Sequence, residues 1–308
     1  MRIAFLNMCH CEPEIVARVA RRLCSDEEFD MYIHVDAKQD ILPFQQAISG
    51  IRGTFFTENR YKVFWGGYNA ILATMELIRC ALSSERDYDY IVTLQNLDYP
   101  IRSNDYIKSF FIEHNGTEFI RGCNIAHTND KEFNRKYKLY YRKDTPLGGK
   151  NQPKVKKLFY NGLMIIMSIS TLGCNGVIRE KDCDYDIYYG CAQWSVTRNC
   201  AKYILDFYYS HPKFNRKMAR MQFPDEEYPH TVVHNSYFKD KCYKYDEPLQ
   251  RWLVNWRNNH YFEFPKEVTV LDDSYIDILR KQGKEILFCR KVKSGISDSL
   301  LDILDSES

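Results

Sequence analysis

The sequence predicts an α/β fold with a mostly parallel central sheet covered by helices on both faces, and three observations carry that expectation. The first third of the chain alternates strand-like and helical stretches, beginning strand, helix, strand. Tyr90 to Leu94 reads as a buried strand rather than a half-solvated one. With 308 residues, 44% hydrophobic and 27% charged, the chain is long enough to bury a substantial core.

Taken in order, Arg2 to Leu6 is the first strand and Glu12 to Cys24 the first helix, its apolar residues Ile15, Val16, Val19, Ala20 and Leu23 recurring on one face. Asp30 to Val35 is the second strand and Gly53 to Glu58 a short third. Asn69 to Ser83 repeats the helical period through Ile71, Leu72, Met75, Leu77, Ile78 and Leu82, and the Tyr90 strand follows. Phe133 to Lys157, rich in Arg and Lys and carrying Pro146-Leu147-Gly148-Gly149, has little regular pattern and is expected to be a long basic loop. Loops of that length are commonly functional, so this one is expected over a site or against a substrate, with Lys136 the residue assigned to contact it. Tyr189 to Val196 resumes a strand and Cys200 to Tyr209 a helix. Beyond Ser294, apolar residues at helical spacing among acids predict a short terminal helix.

Composition narrows the function. Forty-three Lys and Arg against 41 Asp and Glu leave a net charge of +2, far from the excess of a nucleic-acid binder, so no nucleic-acid partner is expected. The 11 cysteines are odd in number and scattered, as in a reduced, intracellular protein; Cys9-His10-Cys11 is the only tight Cys/His cluster, and no second pair sits at zinc-site spacing. Met1 to Leu6 lacks the pattern of a signal peptide, so the chain is expected to begin there. No stretch reaches the roughly 20 apolar residues that span a bilayer. The nearest, Leu158 to Leu172, preceded by Lys154, Lys156 and Lys157, is expected to be a buried helix, with peripheral membrane contact through 154–172 as the alternative.

In α/β sheets of this kind, ligands bind at the carboxyl ends of the strands, and the distinctive residues fall there. His34-Val35-Asp36-Ala37-Lys38 closes the second strand, where Asp36 suits a nucleobase or ribose and Lys38 a phosphate. Leu94-Gln95-Asn96-Leu97-Asp98-Tyr99-Pro100 closes the Tyr90 strand, leaving Asp98 either structural or substrate-facing. Trp65-Gly66-Gly67 precedes the long helix, with glycines that let the backbone turn tightly or approach a ligand. Phe223-Pro224-Asp225-Glu226-Glu227 sets three carboxylates at a helix start, where Pro suits the first position and acids complement the helix dipole; any of the three could serve as a base.

In order, His34-Val35-Asp36, Trp65-Gly66-Gly67, Asp98-Tyr99-Pro100-Ile101, the Trp194 strand, Pro224-Asp225-Glu226 with His230-Thr231-Val232, Arg251 to Trp256, and Leu287-Phe288-Cys289-Arg290-Lys291 resemble one family over residues 1 to about 295. It is the core-2/I-branching β-1,6-N-acetylglucosaminyltransferases and peptide O-xylosyltransferases, glycosyltransferase family 14. The resemblance implies a single GT-A domain over 1–295 with a tail at 296–308. It also implies inverting transfer from a UDP-sugar, UDP-N-acetylglucosamine or UDP-xylose, without a metal or other cofactor. Carried over by motif, Glu226 is the general base; Asp225 and Glu227 become its cap and a solvent-facing neighbour. Asp36, Lys38, Arg251, Arg290 and Lys291 hold the nucleotide and its phosphates, with Arg257 the rival of Arg251. Trp65, Gly66, Asp98, Lys136, Trp194 and Trp256 meet the sugar substrates.

Asp87-Tyr88-Asp89 and Asp182-Cys183-Asp184-Tyr185-Asp186 imitate the metal-binding Asp-x-Asp of other GT-A enzymes, but both precede strands rather than follow them. The chain departs from the family at Gly190-Cys191-Ala192, where Gly-Ser is usual, and lacks the membrane anchor and disulfide frame of the animal enzymes. It is therefore expected to be a compact bacterial member facing the cytoplasm, peripheral at the inner membrane face, with a glycan or lipid-linked acceptor. A non-catalytic nucleotide- or glycan-binding protein of the same fold is the competing class.

Overall fold

The computed structural model describes residues 1–139, 144–145, 153–171, 175–181, 183–244, 257–263 and 267–307. Its strands are β1 (Ile3–Cys9), β2 (Phe29–Val35), β3 (Thr54–Phe56), β4 (Tyr90–Gln95), β5 (Asp98–Pro100), β6 (Gly122–Asn124), β7 (Val177–Arg179), β8 (Asp184–Asp186), β9 (Tyr188–Gly190), β10 (Ser195–Thr197), β11 (His260–Phe262) and β12 (Phe288–Arg290). Its helices are α1 (Pro13–Leu23), α2 (Leu42–Ile48), α3 (Asn69–Leu82), α4 (Asn104–Glu113), α5 (Lys131–Lys138), α6 (Lys154–Met167), α7 (Arg198–Ser210), α8 (Pro212–Met218), α9 (Tyr228–His234), α10 (Ile276–Arg280) and α11 (Asp298–Ser306).

The main sheet runs β10-β4-β1-β2-β3, parallel throughout except that β10 is antiparallel to β4. Side chains alternate across it. Ile3 and Phe5 join Met31, Ile33, Val92 and Leu94 in a core with α1, α4 and α11, whereas Ala4 and Leu6 join Tyr32 and Ile91 in a second core with α3, α7 and α9. The α/β class read from the alternation is thus the class observed.

A smaller sheet, β11-β12-β5, is appended at the end of β4 and sets Arg290 opposite Asp98. The C-terminal α11 packs on the chain itself: Arg18 meets Asp302 at 2.6 Å and Asp305 at 2.7 Å, and Tyr99 donates to Asp305 at 2.5 Å.

Three expectations are corrected. Residues 133–157 are not one loop, because α5 extends to Lys138 and α6 starts at Lys154; the Asp130 side chain accepts from Glu132 N and Phe133 N and so caps α5. Tyr189 to Val196 is not one strand: β9 pairs with β6, and β10 pairs with β4. The helix in Leu158–Leu172 is not buried, since Leu158, Phe159, Ile165 and Ile166 are all largely exposed.

Candidate active site

β1, β2 and β4 end level with one another, since Cys9 pairs with Val35 and Met8 with Gln95. Asn96 ties the edge together: its side-chain oxygen accepts from His10 N at 2.5 Å and Cys11 N at 2.7 Å. Asp36 lies at the same edge but is buried, and its carboxylate serves the fold of its own loop. It accepts from Lys38 N at 2.9 Å and Val63 N at 3.3 Å and pairs with Lys38 Nζ at 2.7 Å. The Lys38 ammonium also stands 4.4 Å over the Phe64 ring.

Asp98 is buried beneath that edge and is structural in its contacts. One carboxylate oxygen accepts from Arg290 Nη1 at 2.6 Å; the other accepts from Gln95 N at 2.7 Å and faces His260 Nε2 at 3.4 Å. Burial alone would raise the Asp98 pKa, but the Arg290 guanidinium, with His260, keeps it below the usual carboxylate value. Arg290, held in place by this pair, lies beside the β1 edge. The His10 pKa is lowered first by burial and then by Arg290, and Arg290, Lys293 and Lys291 together oppose the rise that burial imposes on the Cys11 thiol. The charges of these three cations thus reach the end of β1.

Glu226 occupies the end of a 3-10 turn, Pro224–Glu226, preceded by Phe223 in left-handed backbone geometry at φ 57°. A bulky residue pays about 1–2 kcal/mol for that conformation, so its neighbours must hold it there. They come from two distant segments. Gly66, itself at φ 74°, accepts from Phe223 N at 3.3 Å, and the Trp65 ring meets the Phe223 ring edge-on at 4.6 Å. Lys136 of α5 accepts from Gln222 N at 3.1 Å through its carbonyl.

The Lys136 ammonium lies 3.1 Å from the centre of the Tyr189 ring and 3.5 Å from Glu226 Oε2, and the Tyr189 hydroxyl donates to that same oxygen. Burial lowers the Lys136 pKa against the opposing charge of Glu226, whereas burial and Glu226 together raise that of Tyr189. The Glu226 side chain nevertheless keeps 31% of its surface open. Burial pushes the nearby Cys191 thiol up to about 12, and the charges of Glu226, Asp98 and Arg290 also act on it. Gly190 admits α9 here, because a Cβ would strike the Arg121 carbonyl and the His230 ring.

The neighbours of Glu226 are not a cap and a solvent-facing residue. Glu227 is fully buried, neither oxygen has a hydrogen-bond partner among the described residues, and burial raises its pKa well above the usual range. Asp225 is raised to about 7, first by burial and then by the Glu226 charge. Neither side chain caps a helix.

The model of the family described as "Branch: Core-2/I-Branching enzyme" matches residues 3–276. The chain belongs to the Core-2/I-Branching family. Among its relatives, the Xylosyltransferase oxt of Drosophila melanogaster is 27% identical over 128 residues, 40% of this chain and 14% of that protein. The Xylosyltransferase sqv-6 of Caenorhabditis elegans is 29% identical over 93 residues, 29% of this chain and 12% of that protein, and human Xylosyltransferase 1 is 26% identical over 128 residues, 39% of this chain and 13% of that protein. The aligned stretch thus spans about one seventh or less of these curated relatives.

In this Core-2/I-Branching member, the other sequence-predicted residues fall as follows. Trp65 is 67% exposed on the rim beside Phe223, with Gly66 beneath it. Trp194, expected at the substrate, is instead 1% exposed in the core, where its backbone exchanges hydrogen bonds with Thr93. Arg251 and Trp256 lie outside the described residues. Arg257 stacks on Tyr261 at 4.9 Å and donates to the Phe262 carbonyl, which occupies it at β11.

Asp89 accepts from Arg2 N at the amino end of β4, and Asp184 to Asp186, ahead of the Trp194 strand as expected, themselves form β8; no group of His, Cys, Asp and Glu suited to a metal occurs among the described residues. Tyr189, Lys293 and Asn96 were missed as site residues. Tyr189 sits inside a quoted motif but carries no mark of its role, whereas Lys293 extends the visible Arg290-Lys291 pair by one alternate position.

Proposed function

We propose that this chain is an inverting, metal-independent glycosyltransferase that moves a sugar from a UDP-sugar to a glycan hydroxyl. The observation that carries the reading is the partly open Glu226 carboxylate, held through one oxygen by Tyr189 and Lys136, together with an Arg290 guanidinium fixed by the buried Asp98. The free oxygen of Glu226 takes the acceptor hydroxyl proton as the acceptor oxygen attacks the anomeric carbon; the bond from that carbon to UDP breaks from the opposite side, inverting the configuration. Negative charge grows on the departing β-phosphate, where Arg290, fixed by Asp98, and Lys291 stabilise it in the role a metal plays elsewhere. Trp65 and Gly66 line the acceptor side with Lys136, and Lys38, held by the buried Asp36, the nucleotide side.

N-acetylglucosamine is the donor sugar favoured by the family resemblance. Xylose is the second reading, supported by the names of the aligned relatives. The reading includes a glycan or lipid-linked acceptor and work in the cytoplasm at the inner face of a membrane.

The test is UDP release from a panel of UDP-sugars and acceptors, comparing wild type with Glu226→Gln. The variant is expected to bind UDP normally and lose about 10²–10⁴-fold in turnover. Full turnover would remove Glu226 as the base. Activity is expected to survive EDTA, and loss restored by Mn²⁺ would refute the metal-free mechanism.

A further inference from the structure

α6 inverts the usual arrangement of a surface helix, which buries its apolar stripe. It is seated on the protein through Tyr160, Met164 and Ser168, whereas Val155, Leu158, Phe159, Ile165 and Ile166, with Ile169 just beyond its end, are 63–80% exposed. At 100° per residue these exposed side chains form one continuous arc opposite the seat. Lys154 and Lys156 fall on the two borders of the arc, and residues 153–171 contain no Asp or Glu.

We infer that α6 is a docking surface for an anionic lipid bilayer. An apolar arc bordered by lysines matches a membrane interface, where aliphatic and Phe side chains enter the acyl boundary and the ammonium groups meet lipid phosphates. Two copies of this face would bring their lysines together without acidic partners, which disfavours self-association. The turn at the end of α6 packs on α5, which carries Lys136, and Asp144, in the connection between α5 and α6, accepts from Tyr68 N at 2.7 Å and Asn69 N at 3.0 Å just after the Trp65 loop. Docking through α6 therefore holds α5, whose Lys136 pairs with Glu226, close to the lipid surface. This deepens the membrane-side part of the proposed function but does not depend on the transfer chemistry.

The experiment is flotation of the purified full-length protein with vesicles of phosphatidylcholine alone or containing about one third phosphatidylglycerol. Wild type is expected to float with the anionic vesicles. Leu158→Ser/Phe159→Ser/Ile166→Ser should reduce the bound fraction about tenfold or more, and Lys154→Glu/Lys156→Glu should abolish the preference for anionic lipid. Circular dichroism melting checks that the first variant folds, and the charge reversal tests the surface independently of it. Glu226→Gln should float like wild type, so failure of the base assignment leaves this result intact. Equal flotation of wild type with and without phosphatidylglycerol, or of the folded triple variant and wild type, would overturn the inference. So would a wild-type dimer that the triple variant dissociates while neither protein floats.

Discussion

Replacing Tyr189 by Phe tests whether Glu226 is a positioned base. The substitution removes one hydroxyl that donates to Glu226 Oε2 and keeps the ring 3.1 Å beneath the Lys136 ammonium, so packing changes little. A hydrogen bond to a carboxylate contributes about 1.5–3 kcal/mol, and each factor of ten in rate corresponds to about 1.4 kcal/mol, which sets the ceiling at about one to two powers of ten in rate. Lys136, 3.5 Å from the same oxygen, still holds the carboxylate and keeps the effect near the lower end. Because the carboxylate loses part of its fixed orientation, kcat should fall about tenfold. Donor KM should stay constant, since Tyr189 acts through Glu226. The assay is UDP release by wild type and Tyr189→Phe at saturating and limiting donor. An unchanged kcat would refute the claim that Tyr189 orients the base.

Asp98→Asn leaves the Arg290 guanidinium in a buried setting without its counter-ion, so a loss of about 3–5 kcal/mol in urea unfolding is expected, with UDP release also reduced; a loss below about 1 kcal/mol would show that Arg290 is not held by this pair. Asp225→Asn should raise stability at neutral pH. The Asp225 pKa is raised to about 7 from an ordinary 3.8, so its contribution is fully present below about pH 4. As pH climbs towards 7, the unfolded chain gives up the proton first and stability drains by at most about 1.4 kcal/mol per pH unit. Asn does not ionise, so the variant should melt above wild type at pH 8, the gap closing towards pH 4; a gap independent of pH would contradict the raised Asp225.

The sheet was legible because its strands signal locally. The β1, α1 and β2 bounds lie within three residues of those read from apolar spacing, since each element is decided by short-range periodicity. α5 was hidden because Lys131–Lys138 is almost entirely polar, with Tyr137 its only buried residue, so the signal was one cap, Asp130, rather than a stripe. α6 was legible as a helix but not in its exposure. Helical period tells which residues share a face; whether that face meets protein or something else is decided by tertiary packing, here the seat of Tyr160, Met164 and Ser168.

The same distinction governs Glu226. Residue type made Asp225, Glu226 and Glu227 equivalent, and an acidic helix start accounts for all three equally well. What separates them is the left-handed Phe223, which turns the chain so that Glu227 enters the core while Glu226 meets Tyr189 and Lys136. That conformation is held by Gly66, Trp65 and Lys136, two segments at sequence separations of about 160 and 90 residues, so no local pattern could have announced it. The carboxylate best suited to chemistry is then the one whose orientation depends most on distant contacts. Substitutions at Trp65 or Gly66 should accordingly disturb Glu226 without touching it.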